Sequence, residues 1–128
     1  MVFFVLIFVA FFCGAFYIVF FYSISKVLSN KEKLYFSKQL HKISSWEWSA
    51  KEKIISYDTL LHKIFQALGY GWSFWEILKK YGKYIPQSQQ IWELHRLRNR
   101  LVHELFELDS KEAEKQRKKY ESIIKSYL

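Results

Sequence analysis

The sequence predicts an all-α protein in which an N-terminal single transmembrane helix precedes a small helical bundle. The first 25 residues carry no charged side chain, whereas all 20 Lys and Arg residues and all 12 Asp and Glu residues follow them. The later part has one Pro, few turn signals and no sustained alternation of apolar and polar residues of the kind that strands show. The chain therefore divides into an apolar anchor and a charged helical part.

The predicted span runs from Val2 to Tyr22 within an anchor of residues 1–25. About 20 apolar residues, rising about 1.5 Å each, are enough for a helix to cross the hydrocarbon core of a bilayer. The alternative is a cleaved signal peptide, which Ser23–Ser25 would permit. A signal peptide normally starts with positive charge and has a shorter apolar core, so we favour an uncleaved anchor.

Charge beside the span predicts its orientation. Lysines dominate the following segment, with Glu32 as the one acidic residue among them, and positively charged flanks stay on the inner side of a membrane. We therefore expect a single-pass protein of the cell membrane, with its N-terminus outside and its C-terminal domain in the cytoplasm. Cys13 is the one cysteine, so neither an intramolecular disulfide nor a thiolate metal site is expected. The flanking lysines are Lys26, Lys31, Lys33, Lys38 and Lys42.

Residues 26–45 predict a basic juxtamembrane connector helix, because apolar residues such as Leu34 and Tyr35 alternate with lysines. Lys and Tyr side chains can reach the headgroup level of a bilayer from such a helix. A solvated linker helix has the same composition. Both interpretations stay open at this point.

Residues 46–128 predict a helical bundle, because apolar residues recur at steps of three and four. Ser73 and Glu76 have the spacing of a capping box, in which the serine accepts a backbone N–H and the glutamate reaches back. Gly69 and Gly82 are typical helix ends. The predicted helices cover residues 46–68, 73–81 and 86–108, and the last one follows Asp109.

The candidate chemistry lies in residues 92–104. At about 100° per residue, His95, Asn99 and His103 lie along one stripe of the helix, and Arg98 borders that stripe from the apolar side. These groups suit phosphodiester cleavage without a metal, since His moves protons near neutral pH and Arg holds phosphate. The alternatives are a solvated basic face or a metal bound by histidines four residues apart.

Residues 98–103 read Arg-Asn-Arg-Leu-Val-His and resemble the signature of HEPN domains, in which a polar residue follows the Arg and a His lies five positions after it. The resemblance implies a small, often dimeric helical bundle. Many such domains are metal-independent endoribonucleases, and others are binding or dimerisation modules without activity. Residues 46–128 are also similar to uncharacterised single-span bacterial proteins that carry a HEPN-like domain.

By this resemblance Arg98 and His103 are the catalytic pair, and Asn99 is the polar residue beside the Arg. His103 would move the proton of an RNA 2′-hydroxyl or of the leaving oxygen, and a 2′,3′-cyclic phosphate would result. Two copies would face one another, each supplying half a site. His95 and Asp58 are supporting candidates, since Asp58 could pair with Arg98, orient His103, or simply lie exposed.

Three functions remain open. They are a membrane-anchored HEPN-like interaction or dimerisation module of the cytoplasmic face, a metal-independent ribonuclease tethered to the inner membrane, and a lipid-surface assembly subunit. The expected partners are membrane lipid, a second copy of the chain and RNA, and we expect no cofactor and no metal. The net charge of +8 fits RNA and anionic lipid equally. No Gly-rich phosphate loop or Ser-centred elbow is present, which disfavours P-loop and serine hydrolases.

Overall fold

The structure is a computed structural model that describes the backbone of residues 2–24, 27–71, 73–104 and 106–128, and the side chains of 7–18 and of the last three ranges. Those residues form helices and connections without a strand, so the all-α prediction is confirmed. The helices are α1 (Val2–Ile24), α2 (Asn30–Ser45), α3 (Ala50–Ala67), α4 (Phe74–Tyr81), α5 (Ser88–His103) and α6 (Ser110–Lys125), with a 3₁₀ turn at Gly82–Tyr84.

The prediction of a transmembrane helix is wrong. Among the residues that the structure describes, no helix is both long enough and apolar enough to cross a membrane. The described side chains of α1, those of residues 7–18, are all exposed. The side chains at both ends of the predicted span, and residues 25 and 26, lie outside the described residues. The cytoplasmic orientation stays a prediction.

Three helices begin with the same capping box. At the predicted one, the Glu76 N–H donates to Ser73 Oγ at 3.4 Å and the Ser73 N–H donates to Glu76 Oε2 at 3.2 Å. Hydrogen bonds from the capping serine lower the pKa of Glu76, which keeps this carboxylate charged at the positive end of the helix dipole. The other two boxes pair Ser29 with Glu32 and Ser49 with Glu52.

The second helix packs against α3 and buries Phe36, Leu40 and Ile43. The two interpretations of residues 26–45, an interfacial connector and a solvated linker, did not include this buried face. The division into 1–25, 26–45 and 46–128 stays a prediction, but α2 belongs to the same packed core as the later helices.

The core of the bundle surrounds α3, which contacts α2, α5 and α6. Burying one large aliphatic or aromatic side chain stabilises a fold by about 1.5–3 kcal/mol. This packing brings the middle of α3 beside α5 and α6. The large side chains that are fully buried include Ile54, Tyr57, Leu61, Ile64, Phe65, Ile91, Tyr120 and Ile124.

The fifth helix differs from its predicted bounds of 86–108. It begins at Ser88, after Gln87 in the left-handed region at φ 60°, and Pro86 lies in the preceding turn. It ends at His103, because Glu104 is extended at φ −112° and ψ 153°. Leu108 still reaches the core, but from the connection to α6 and not from a helix.

Candidate functional site

Asp58 is a buried carboxylate in the middle of α3, with 4% of its surface exposed. Its position follows from the helix repeat, since Ile54 and Leu61 on either side of it are fully buried on the same face. A carboxylate in such a place requires charged or hydrogen-bonding partners. Side chains from α5 and α6 supply them.

The partner from α6 is Tyr120, whose hydroxyl donates to Asp58 Oδ1 at 2.8 Å. Tyr120 is fully buried. Burial and the negative charge of Asp58 raise the pKa of Tyr120 well above its ordinary value. The phenol therefore stays a neutral donor across the physiological range.

The first partner from α5 is His95, whose Nδ1 lies 2.9 Å from Asp58 Oδ1. Its Nε2 lies 3.3 Å from Asn99 Nδ2, and an amide nitrogen can only donate. This pattern assigns the neutral tautomer, in which Nδ1–H donates to Asp58 and Nε2 accepts from Asn99. The ring of Phe74 packs edge-to-face against the His95 imidazole, with 4.6 Å between the ring centres and 78° between the ring planes.

The second partner from α5 is Arg98, whose Nε lies 3.5 Å from Asp58 Oδ2. This contact is an ion pair and not a hydrogen bond, since Arg98 Nε is buried but has no hydrogen-bond partner. Arg98 Nη1 also donates to Asn99 Oδ1 at 2.8 Å, which fixes the orientation of the amide. We call Asp58, His95, Arg98, Asn99 and Tyr120 the Asp58 network.

His103 lies outside the Asp58 network. It is exposed at the C-terminal end of α5, and among the described residues it makes no hydrogen bond or ion pair. Five residues on a helix correspond to a rotation of about 140°, so Arg98 and His103 leave α5 in different directions. The structure thus brings four of the five predicted site residues together and leaves His103 apart.

No protein family, curated protein or solved structure matches the chain. The likeness to HEPN domains therefore remains a resemblance, carried by residues 98–103 and by the helical pattern.

Tyr120 is the member of the Asp58 network that the sequence did not single out. Its place on the apolar stripe of α6 made it a core residue, and a buried tyrosine needs a partner for its hydroxyl. The sequence could therefore indicate that the Tyr120 hydroxyl has a buried hydrogen-bond partner, but not which residue accepts the hydrogen bond. Asp58 orients His95 and not, as one sequence-based option had it, His103.

The described residues contain no group of three or more His, Cys, Asp or Glu side chains that could hold a metal ion. His95 uses both ring nitrogens within the Asp58 network, so it has no lone pair left for a ligand. What the network can do is hold three helices together. Asp58 is its centre, with α5 and α6 bound to the same carboxylate.

Proposed function

We propose that the helical bundle is a HEPN-like interaction module that pairs with a second copy, and that Arg98 serves its structure and not catalysis. The observation that carries this proposal is the closed Asp58 network. Each polar group that catalysis would use at His95 and Asn99 already has a partner inside the protein.

The cost of opening the network supports the same conclusion. If Arg98 turned to hold a phosphate, it would leave Asp58 as a buried carboxylate without a cation. Breaking a fully buried ion pair costs about 3–5 kcal/mol, and the cost is smaller here because the Arg98 side chain keeps 26% of its surface exposed. A catalytic arginine that must first pay this cost would lose most of the rate advantage that it supplies.

The C-terminal end of α5 offers a surface for a partner. Val102 is 45% exposed, although it is apolar, and the exposed polar residues Arg100, His103 and Glu104 lie near it in the sequence. The guanidinium of Arg100 lies 3.9 Å from the centre of the Phe106 ring. An apolar residue within a polar rim is the usual composition of a protein interface, and the HEPN resemblance implies pairing.

Sedimentation equilibrium of the full chain in a mild detergent tests the pairing. We expect a monomer–dimer equilibrium, weakened at least about tenfold by Val102→Glu because a buried charge would be unpaired. Tyr84→Glu is the matched control, since Tyr84 is 47% exposed and Val102 is 45% exposed. A chain that stays monomeric at all concentrations, or equal effects of both variants, rejects the proposal.

A metal-independent ribonuclease is the second candidate, favoured by the exposed His103 and by Arg98, whose side chain keeps 26% of its surface exposed. Since these side chains diverge on one α5, a site would need Arg98 of one copy and His103 of the other. His103 would transfer the proton and Arg98 would stabilise the negative phosphorane.

His103→Ala is the sharper test of this candidate, because His103 is exposed and its loss should leave the fold intact. Arg98→Ala would also remove the cation of Asp58, so lost activity could reflect unfolding. The ribonuclease predicts cleavage of labelled RNA in EDTA that disappears in His103→Ala and persists in His41→Ala, another exposed histidine. RNA left intact by the folded wild-type dimer excludes it.

A further inference from the structure

The two faces of α2 differ in kind. One face packs into the core through Phe36, Leu40 and Ile43. The opposite face has no contact of this kind, and its composition is unusual for a solvated helix. At about 100° per residue, seven exposed residues fall within a sector of about 120° there. This outer face of α2 consists of Lys31, Leu34, Tyr35, Lys38, His41, Lys42 and Ser45.

The outer face of α2 combines basic and apolar side chains and holds no acidic residue. Leu34 is 58% exposed and Tyr35 is 51% exposed, so both leave much apolar surface in water. The one acidic residue of α2, Glu32, is hydrogen bonded to Ser29 in the capping box and lies toward the packed side. Lys42 extends over the Trp46 ring, with 4.9 Å between Nζ and the ring centre.

We propose that the outer face of α2 docks on the surface of a bilayer that contains anionic phospholipids. The lysines complement the negative headgroups, while Leu34 and Tyr35 enter the boundary between headgroups and acyl chains. The apolar pair distinguishes this partner from a nucleic acid, whose backbone offers nothing for an exposed leucine to bury against. The contact needs only the headgroup layer and does not depend on pairing with a second copy.

Chain continuity supports the same partner. Val27, directly before the capping residue of α2, is 75% exposed. The described side chains of α1 are exposed and mostly apolar, for example Phe11 at 77%. Exposed apolar side chains therefore occur in the described part of α1, at Val27 and on the outer face of α2, which is the pattern of a lipid-contacting surface.

The lysines of α6 provide an internal comparison. They lie among acidic residues, and two of them form ion pairs: Lys115 with Glu112 at 3.3 Å and Lys125 with Glu121 at 2.6 Å. No described residue of α6 is a large exposed apolar side chain. A control variant can thus remove the same number of positive charges from α6, a basic helix without large exposed apolar side chains.

The experiment compares binding of the full chain to phosphatidylcholine vesicles and to vesicles that contain one quarter phosphatidylglycerol. Because α1 can contribute to both, the readout is the preference for the anionic vesicles. Each lysine near an anionic membrane surface is worth about fivefold in binding. The variant Lys31→Gln/Lys38→Gln/Lys42→Gln should lower the preference at least about tenfold. The control Lys111→Gln/Lys118→Gln/Lys119→Gln removes the same charge from α6 and should change it less than about threefold. Equal losses in both variants, or no loss in the first, overturn the proposal.

A second variant tests the apolar component. Leu34→Ser/Tyr35→Ser should weaken binding to the anionic vesicles and leave its salt dependence unchanged, since no charge is lost.

The lysine and serine variants of α2 are also measured with a fluorescent single-stranded RNA. If the α2 lysines govern RNA binding while the serine variant binds vesicles as wild type does, the outer face of α2 is a nucleic-acid surface and the lipid proposal is wrong.

Discussion

The Tyr120 hydroxyl on α6 donates a hydrogen bond to the Asp58 carboxylate on α3 at a distance of 2.8 Å. The same oxygen receives the His95 Nδ1–H from α5 at 2.9 Å. One buried carboxylate thus fixes three helices relative to each other. Hydrogen bonds to a charged acceptor in such a place are worth more than neutral ones, about 1.5–3 kcal/mol each.

Replacing Asp58 should therefore destabilise the bundle more than replacing any exposed carboxylate. We expect Asp58→Ala to lower the free energy of unfolding by about 3 kcal/mol or more, because Arg98, His95 and Tyr120 lose their common partner. Asp58→Asn should cost less, since the amide oxygen can still accept hydrogen bonds. Urea denaturation measures both, with Glu47→Ala at an exposed site as the control, expected within about 0.5 kcal/mol of wild type. A loss below about 1 kcal/mol for Asp58→Ala would show that the network contributes little.

Stability should also fall in alkali, because burial raises the pKa of four tyrosines, Tyr57, Tyr70, Tyr120 and Tyr127. Burial raises the pKa of Tyr127 to about 12, and burial together with Asp58 raises the pKa of Tyr120 well above its ordinary range. Unfolded tyrosines ionise near pH 10. The stabilising contribution is thus complete below about pH 10 and is lost as the pH rises from there toward the folded-state pKa.

Urea midpoints between pH 8 and pH 11.5 test the alkaline prediction. Tyr120→Phe should show a shallower decline, since phenylalanine has no proton to lose, although it is less stable at every pH because its hydrogen bond to Asp58 is gone. Tyr84→Phe is the control, because Tyr84 is 47% exposed. Identical pH slopes for wild type and Tyr120→Phe would contradict the assignment.

Local features of the fold could be predicted from the sequence, and long-range ones could not. The Ser73–Glu76 capping box depends on residues three positions apart and appears as predicted. The pairing of Asp58 with Tyr120 spans 62 positions, and a helical stripe shows only that both residues face inward. The sequence therefore left three options for Asp58, which were pairing with Arg98, orienting His103 or an exposed position, and it did not identify the tyrosine.

The apolar patterns of α2 and α5 show what hydrophobic periodicity leaves open. An amphipathic pattern does not say whether its apolar stripe faces a bilayer or another helix, and for α2 it faces α3. In α5 the apolar step continues to Leu108, yet the helix ends at His103 and Leu108 reaches the core from a connection. Hydrophobic periodicity records which residues are buried more faithfully than where a helix ends.

The capping box of α3 should be worth about as much as one ordinary hydrogen bond. The Glu52 N–H donates to Ser49 Oγ at 3.3 Å, and the Ser49 N–H donates to Glu52 Oε2 at 2.8 Å. We expect Ser49→Ala to cost about 1 kcal/mol in free energy of unfolding. Ser45→Ala is the control, because its hydroxyl only returns a bond to the Lys42 carbonyl of its own helix. Thermal unfolding distinguishes them, and an equal loss in both would mean that the cap is not the cause.

Gln87 offers a stabilising substitution at the start of α5, the helix that carries most of the Asp58 network. Its φ of 60° lies in the left-handed region, where a residue with a Cβ is strained by about 1–2 kcal/mol and glycine is not. Gln87→Gly should raise the free energy of unfolding by roughly 0.5–1 kcal/mol, since the greater freedom of glycine in the unfolded chain offsets part of the gain. Gln87→Ala keeps the Cβ and should bring no gain. If the alanine variant is stabilised as much as the glycine variant, relief of backbone strain is not the reason, and the helix start is limited by the glutamine side chain instead.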